Sequence, residues 1–153
     1  MRVVTFTTKF WGPWVMERVG AKWFDGMGVA FGSIDLDERK PLGGVAYDLY
    51  AGNSIHIHIA ADDHRWLTKE VLWCGFDYPF NQLEVKKLIA PVRSSNTRAL
   101  GMTVKFGFKE ETRIKDFHLD GEDLIFMVTT KDKAQRWLDL ESRINPEHLV
   151  QAA

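Results

Sequence analysis

Apolar and polar positions recur along this chain with two periods, and those periods divide it into elements. Arg2 to Thr8 is rich in β-branched residues and predicts a first strand. Between Lys9 and Asp25, Pro13 is placed to open a short helix and Gly20 to end it. Three strand-like runs follow: Gly28 to Asp35, Leu42 to Tyr50 and Ser54 to Ala60. The turn-rich links between them are short, which predicts antiparallel neighbours. In the third run Ile55, Ile57 and Ile59 take one face and His56 and His58 the other.

Asp62 and Asp63 then offer caps for a helix from about His64 to Phe80, with Leu67, Val71, Cys74 and Tyr78 in one stripe. Pro79 predicts a kink or stop near Tyr78. Leu88 to Val92 reads as a buried strand, and Asn96 as the N-cap of a helix carrying Ala99, Thr103 and Phe106 and ending at Gly107. Phe108 is expected to return to the core on the next strand. Thr112 to Phe117 and Leu124 to Thr130 read as strands joined through Asp120-Gly121. Asp132 is expected to cap a last amphipathic helix that Pro146 ends. The order is β, α, three β, α, β, α, β, β, α, a mixed sheet with helices on both faces.

A length of 153 residues predicts one domain over 1–153, with its core at about 28–130 and an extra C-terminal helix at about 132–145. Hydrophobic content of 45% fits a globular protein rather than a disordered one. The net charge of −1 removes the global electrostatic case for nucleic acid or an anionic membrane. A single cysteine, Cys74, excludes an intrachain disulfide and a cysteine-based zinc site, and suits a reducing compartment. No charged-then-apolar leader is visible and no apolar run approaches ~18 residues, so the expectation is neither secretion nor a membrane span.

The stretch from Leu88 to Phe108, an apolar strand followed by N-x-x-A-x-x-x-x-x-K-x-G-F, resembles the C-terminal half of the Gcn5-related N-acetyltransferase (GNAT) superfamily. Tyr78 and Phe80 match the helix end that precedes it in the ribosomal-protein and small-molecule acetyltransferase branch, and the resemblance covers about Leu67 to Thr130. It implies the acyl-CoA N-acyltransferase fold, an α/β (α+β) mixed and mostly antiparallel sheet of about seven strands. It also implies acetyl-CoA as co-substrate, no metal, and transfer of an acetyl group to a primary amine: a protein N-terminus, a lysine or a small-molecule amine. CoA would lie where the histidine-bearing strand and the Leu88 strand splay apart, its diphosphate on the N-terminus of the following helix.

By that resemblance Ala60, Ala61, Arg65, Trp66, Asn96, Ala99, Thr103 and Lys105 contact or position CoA. Each also has a plainer role, Asn96 as a helix cap and the segment at Arg65 as an ordinary helix start. The glycines of the family's diphosphate loop are replaced by Leu67 and Lys69, and Thr103 stands where many relatives carry an acid tyrosine. His56 and His58 are the base candidates, since imidazole titrates near neutral pH; as strand histidines with a hydrogen-bond partner they need no catalytic role. As an H-x-H metal pair they lack a third ligand placed by any motif. Trp11, Trp14, Trp23 and Phe24 fill the core under a short helix by default, or line an acceptor pocket or a partner surface. The segment before the second strand is short for the family, which implies a reduced acceptor site.

The rival reading is a catalytically degenerate binding or structural protein on the same fold, since this compact, Trp-rich chain resembles degenerate acetyltransferase-like domains of bacteriophage proteins. Both readings place the protein in the cytoplasm of a bacterium or a phage-infected host cell, and both leave a homodimer open.

Overall fold

The structure, a computed structural model, describes residues 1–151. Eight strands form one sheet: β1 (Arg2–Thr5), β2 (Val29–Asp35), β3 (Lys40–Asp48), β4 (Ser54–Ala61), β5 (Lys87–Arg93), β6 (Lys109–Ile114), β7 (Leu124–Thr129) and β8 (Leu149–Val150). Their order is β6-β7-β5-β4-β3-β2-β1-β8. Pairing is antiparallel except for β4 with β5 and β1 with β8. This is the mixed, mostly antiparallel sheet that the pattern predicts, with one strand more than expected. The extra strand, β8, is two residues long and pairs Leu149 with Val4 and Val150 with Thr5, too short to leave a period in the sequence.

Helices cover both faces. On one, α1 (Thr8–Val19) lies across β2, β3 and β4 and buries Trp11, Val15 and Met16 against Ala30 and Ala46. On the other, α2 (Lys69–Asp77), α3 (Thr97–Phe106) and α4 (Gln135–Leu138) close the larger core around Tyr47, Ile55, Ile57, Phe76 and Phe106. The core thus reaches beyond 28–130, taking in Val3, Val4 and Leu138. Glycines in β2 and β3 make room for indoles. A Cβ on Gly44 would lie 2.7 Å from the Trp11 ring, and one on Gly43 would lie 2.6 Å from the Trp66 ring. Because neighbouring residues of a strand face opposite ways, that pair seats one tryptophan on each face.

Several elements differ from the sequence reading. The helix begins before Pro13 rather than at it, so the proline sits inside α1; Gly20 ends it as a left-handed residue (φ 76°). The helix expected from His64 to Phe80 is broken in two. Asp63 caps a 3-10 turn at His64–Trp66, accepting from the Arg65 N–H at 2.9 Å, and Thr68 then caps α2, accepting from the Val71 N–H. A threonine hydroxyl competes for helical N–H groups, and here it moves the helix start to Lys69. The stop near Tyr78 is a π turn at Tyr78–Gln82 that contains Pro79.

Asn96 caps α3 as expected, accepting from the Ala99 N–H at 3.1 Å, and Gly107 ends it at φ 101°. Phe108 is buried at the foot of β6, which starts at Lys109 rather than Thr112 and is exposed along its length. The C-terminal helix over 132–145 shortens to α4 and a 3-10 turn at Asp139–Arg143; the Asp132 carboxylate accepts from Thr130 Oγ1 instead of capping.

Candidate active site

β4 and β5 pair only at Ser54–Lys87, Ile55–Leu88 and His56–Ile89. Beyond that rung Ile57–Ala61 stays with β3 while Ala90–Arg93 stays with β7. Two strands that part leave facing edges of backbone N–H and C=O groups unused by the sheet. The wedge opens toward the start of α2, which follows β4, and of α3, which follows β5. Behind it Ile57, Ile59, Leu72, Phe76 and Phe106 line a narrow apolar cleft with about 20 Å³ of free volume, room for about one water. A larger open groove of about 370 Å³ lies elsewhere, among Thr5, Phe10, Ile34, Leu36, Arg39 and Pro41, and Arg39 is the one ionisable side chain in its lining.

The histidines stand on the α1 side of β4, His56 on the last shared rung and His58 just past it. Nε2 of His58 is 2.8 Å from Oδ1 of Asp48 at the end of β3. Asp48 pairs in register with His56, so the contact to His58 is the diagonal cross-strand one. Burial pushes the His56 imidazole below its usual value, with the Asp48 charge opposing the shift. Its ring stands edge-on to Phe126 at 5.9 Å between centroids.

Ala60 is half-buried against the Trp11 cluster, and Ala61 is the exposed last residue of β4. Arg65 is already engaged: its guanidinium reaches Asp63 at 2.9 Å, Glu38 at 3.1 Å and Asp35 at 3.4 Å. Hydrogen bonds from Arg65 hold the Asp63 carboxyl well below the usual carboxylate range, and those carboxylates raise the guanidinium in turn. Asp62 is held at 2.9 Å by Arg18, whose guanidinium covers the Trp14 ring at 3.6 Å. Trp66 is buried over Gly43 and touches the cleft only from behind. Ala99 packs on the core from α3; Thr103, buried, donates to the Leu100 carbonyl at 2.9 Å. Lys105 is exposed in the last turn of α3, the opposite end from Asn96. The structure therefore brings Ala60, Ala61, His56 and His58 together along one strand, with Asn96 at the helix that follows β5; Lys105 stands apart.

Sequence reasoning missed Asp48 and Glu70. Glu70, buried in the first turn of α2, lies 3.1 Å from His148 Nδ1 and ties the C-terminal segment to that turn. A carboxylate in an otherwise apolar helix stripe was the available signal for Glu70. Among the described residues no group of three or more His, Cys, Asp or Glu is placed to hold a metal ion, and no helix is long and apolar enough to cross a membrane.

The residues fit the tail of an acyl-CoA better than its diphosphate. The parted strands offer amide partners and apolar walls to an extended amide-bearing arm. At the phosphate end, the amides of Lys69 and Glu70 open α2 without helical acceptors, and the Lys69 side chain is exposed. Asp62, Asp63 and Glu70 add negative charge there.

No protein-family model matches this chain, and no curated protein matches it in sequence. Solved structures do. Mutant forms of the spermidine/spermine N-acetyltransferase SpeG from Vibrio cholerae superpose with a TM-score of 0.60 at 21% identity, over 73% of this chain and 72% of that one. The ribosomal-protein-S5-alanine acetyltransferase from Vibrio fischeri gives 0.56 at 19% identity, over 69% and 63%. A GNAT-family acetyltransferase from Bacillus anthracis gives 0.56 at 17%, over 76% and 70%. The fold is that of the GNAT acetyltransferases.

Proposed function

We propose that this chain is an acetyl-CoA-dependent N-acetyltransferase acting on a primary amine in the cytoplasm. The observation that carries the reading is the parting of β4 from β5 beyond His56–Ile89, with His58 the first residue of the histidine face past the split. The wedge receives the thioester tail, with the backbone of Ile57 to Ala61 as its pairing edge. Asn96, Ala99, Ala60 and Ala61 shape its walls, and α2 takes the diphosphate at Lys69. The reaction needs a neutral amine, and His58, with His56 beside it, is the base that supplies one. No side chain here stands as the acid for the departing thiolate; alignment and polarisation by backbone N–H groups are the chain's main contribution. The amine classes are those of the similar folds, a polyamine or a protein amine.

A second reading, a non-enzymatic protein on this fold, draws on two observations: Arg65 is committed to three carboxylates, and the cleft behind β4 is narrow, with room for about one water. Titration of the protein with acetyl-CoA by calorimetry separates the two. Saturable heat, followed by acetyl transfer to spermidine or to a peptide N-terminus, supports the enzyme. No heat and no thermal shift at millimolar CoA overturns it in favour of the second reading.

A further inference from the structure

We infer that Asp48 is a positioning residue that fixes the tautomer of His58 and so makes Nδ1 the proton-accepting atom of this site; the inference rests on the transferase reading above. Three observations converge. First, the carboxylate of Asp48 meets Nε2 of His58 at 2.8 Å, and an ionised carboxylate only accepts. Nε2 therefore carries the hydrogen, and Nδ1 is left with its lone pair. Second, among the described residues the hydrogen bond to Asp48 engages only Nε2 of His58, and the side chain keeps some exposure to solvent. Third, the pair sits where β4 leaves β5, with side-chain exposures of 13% for His58 and 21% for Asp48, shielded but not sealed.

Asp48 is held by the fold rather than by chance of the surface. It is the last residue of β3, directly opposite His56 in the ladder, and the diagonal to His58 is fixed by the antiparallel register that runs from Gly43–Ala61 to Asp48–His56. A carboxylate so placed orients the ring and stabilises the imidazolium that forms when the ring takes a proton. Nδ1 takes one proton from the acceptor's ammonium group and becomes imidazolium beside Asp48. The freed amine nitrogen forms the bond to the thioester carbonyl carbon, and the carbon–sulfur bond breaks. The thiolate leaves with the electron pair and takes a proton from water, while the amide nitrogen loses its surplus proton to water.

The experiment is long-range ¹H–¹⁵N NMR of the histidine rings in the full chain, paired with kinetics, for the wild type and for Asp48→Ala, Asp48→Asn and Asp48→Glu. The expected wild-type spectrum shows His58 with hydrogen on Nε2, its Hε2 protected from exchange. In Asp48→Ala that protection is lost, and kcat falls on the order of 10- to 100-fold with KM within about twofold. Asp48→Glu restores part of both. Asp48→Asn, of nearly the same shape, keeps the fold and still loses rate. A wild-type ring protonated at Nδ1, or Hε2 protection unchanged in Asp48→Ala, overturns the inference. So does wild-type turnover that all three variants retain. A wild type with the expected ring signature but no turnover on any amine sinks the transferase reading and leaves the Asp48–His58 geometry standing.

Discussion

The indole of Trp11 occupies the space that a side chain at Gly32 would fill: a Cβ there would come within 2.4 Å of the ring. Trp11 is fully buried, and its N–H donates to Thr5 Oγ1 at 2.8 Å, so the ring has no room to retreat. Gly32→Ala should therefore destabilise the protein by about 1–3 kcal/mol, the usual cost of overpacking. Urea denaturation measures it. Adding Trp11→Phe should return part of the loss in the double variant, since the smaller ring clears the methyl; two strictly additive losses would contradict the contact.

Asn96→Ala should cost about 0.5–2 kcal/mol, because the Ala99 N–H loses its acceptor at an exposed helix end. Asn96→Asp and Asn96→Ser keep the cap and should stay near wild type in the same denaturation experiment. Equal stability of Asn96→Ala and wild type would remove Asn96 from the capping role.

That cap was legible because it is a short-range matter: a side-chain oxygen, an N–H three residues on, and a glycine at the far end. The meander β2 to β4 was legible for the same reason, short links and clear alternation. Where the reading failed, a distant contact decided. The break at Leu67–Thr68 goes with Trp66 sitting over Gly43, a vacancy in β3 that no local period announces. The Asp48–His58 pair depends on the register across the turn at 49–53, where Leu49 (φ 54°) and Gly52 (φ 84°) both adopt left-handed backbone. A two-residue hairpin turn would have declared its register; this longer one does not. The missing diphosphate glycines were legible, and so was the resulting poverty of that end. The commitment of Arg65 to Asp35 and Glu38, at the distant end of β2, was not.

Burial pushes the Cys74 thiol up to about 12. At pH 8 the native protein should hold roughly a thousandfold less thiolate than a free cysteine. Labelling by a maleimide should therefore be slow in native buffer and complete in denaturant, and its native rate should follow unfolding. Prompt labelling of the folded chain would place Cys74 at the surface.

Acid should weaken the fold in two stages. Burial lowers the His56 imidazole, so the unfolded chain takes up that proton first, and stability should begin to fall as pH drops below about 6.5. Asp63, Asp62, Asp120 and Glu122 are all held below the usual carboxylate range, Asp63 chiefly by Arg65 and Asp62 chiefly by Arg18. A depressed carboxyl contributes stability above its unfolded value and loses it as pH falls through its folded value, so a second decline should set in below about pH 4. The Arg65 cluster is half open to water, and salt should shrink the second decline more than the first. Free energies of unfolding measured from pH 7 to 3 at two ionic strengths test this; a stability that climbs below pH 4 would contradict it. Arg65→Gln should remove the Asp63 share of the second stage and leave the first unchanged.

The pairing of Val4 with Leu149 joins strands almost a whole chain length apart, while β2, β3 and β4 meet their neighbours within a few residues. Closing so long a loop is slow compared with zipping a meander. That border strand is expected to dock after the meander has paired, and until it does, β1 presents a bare ladder to whatever other chain is near.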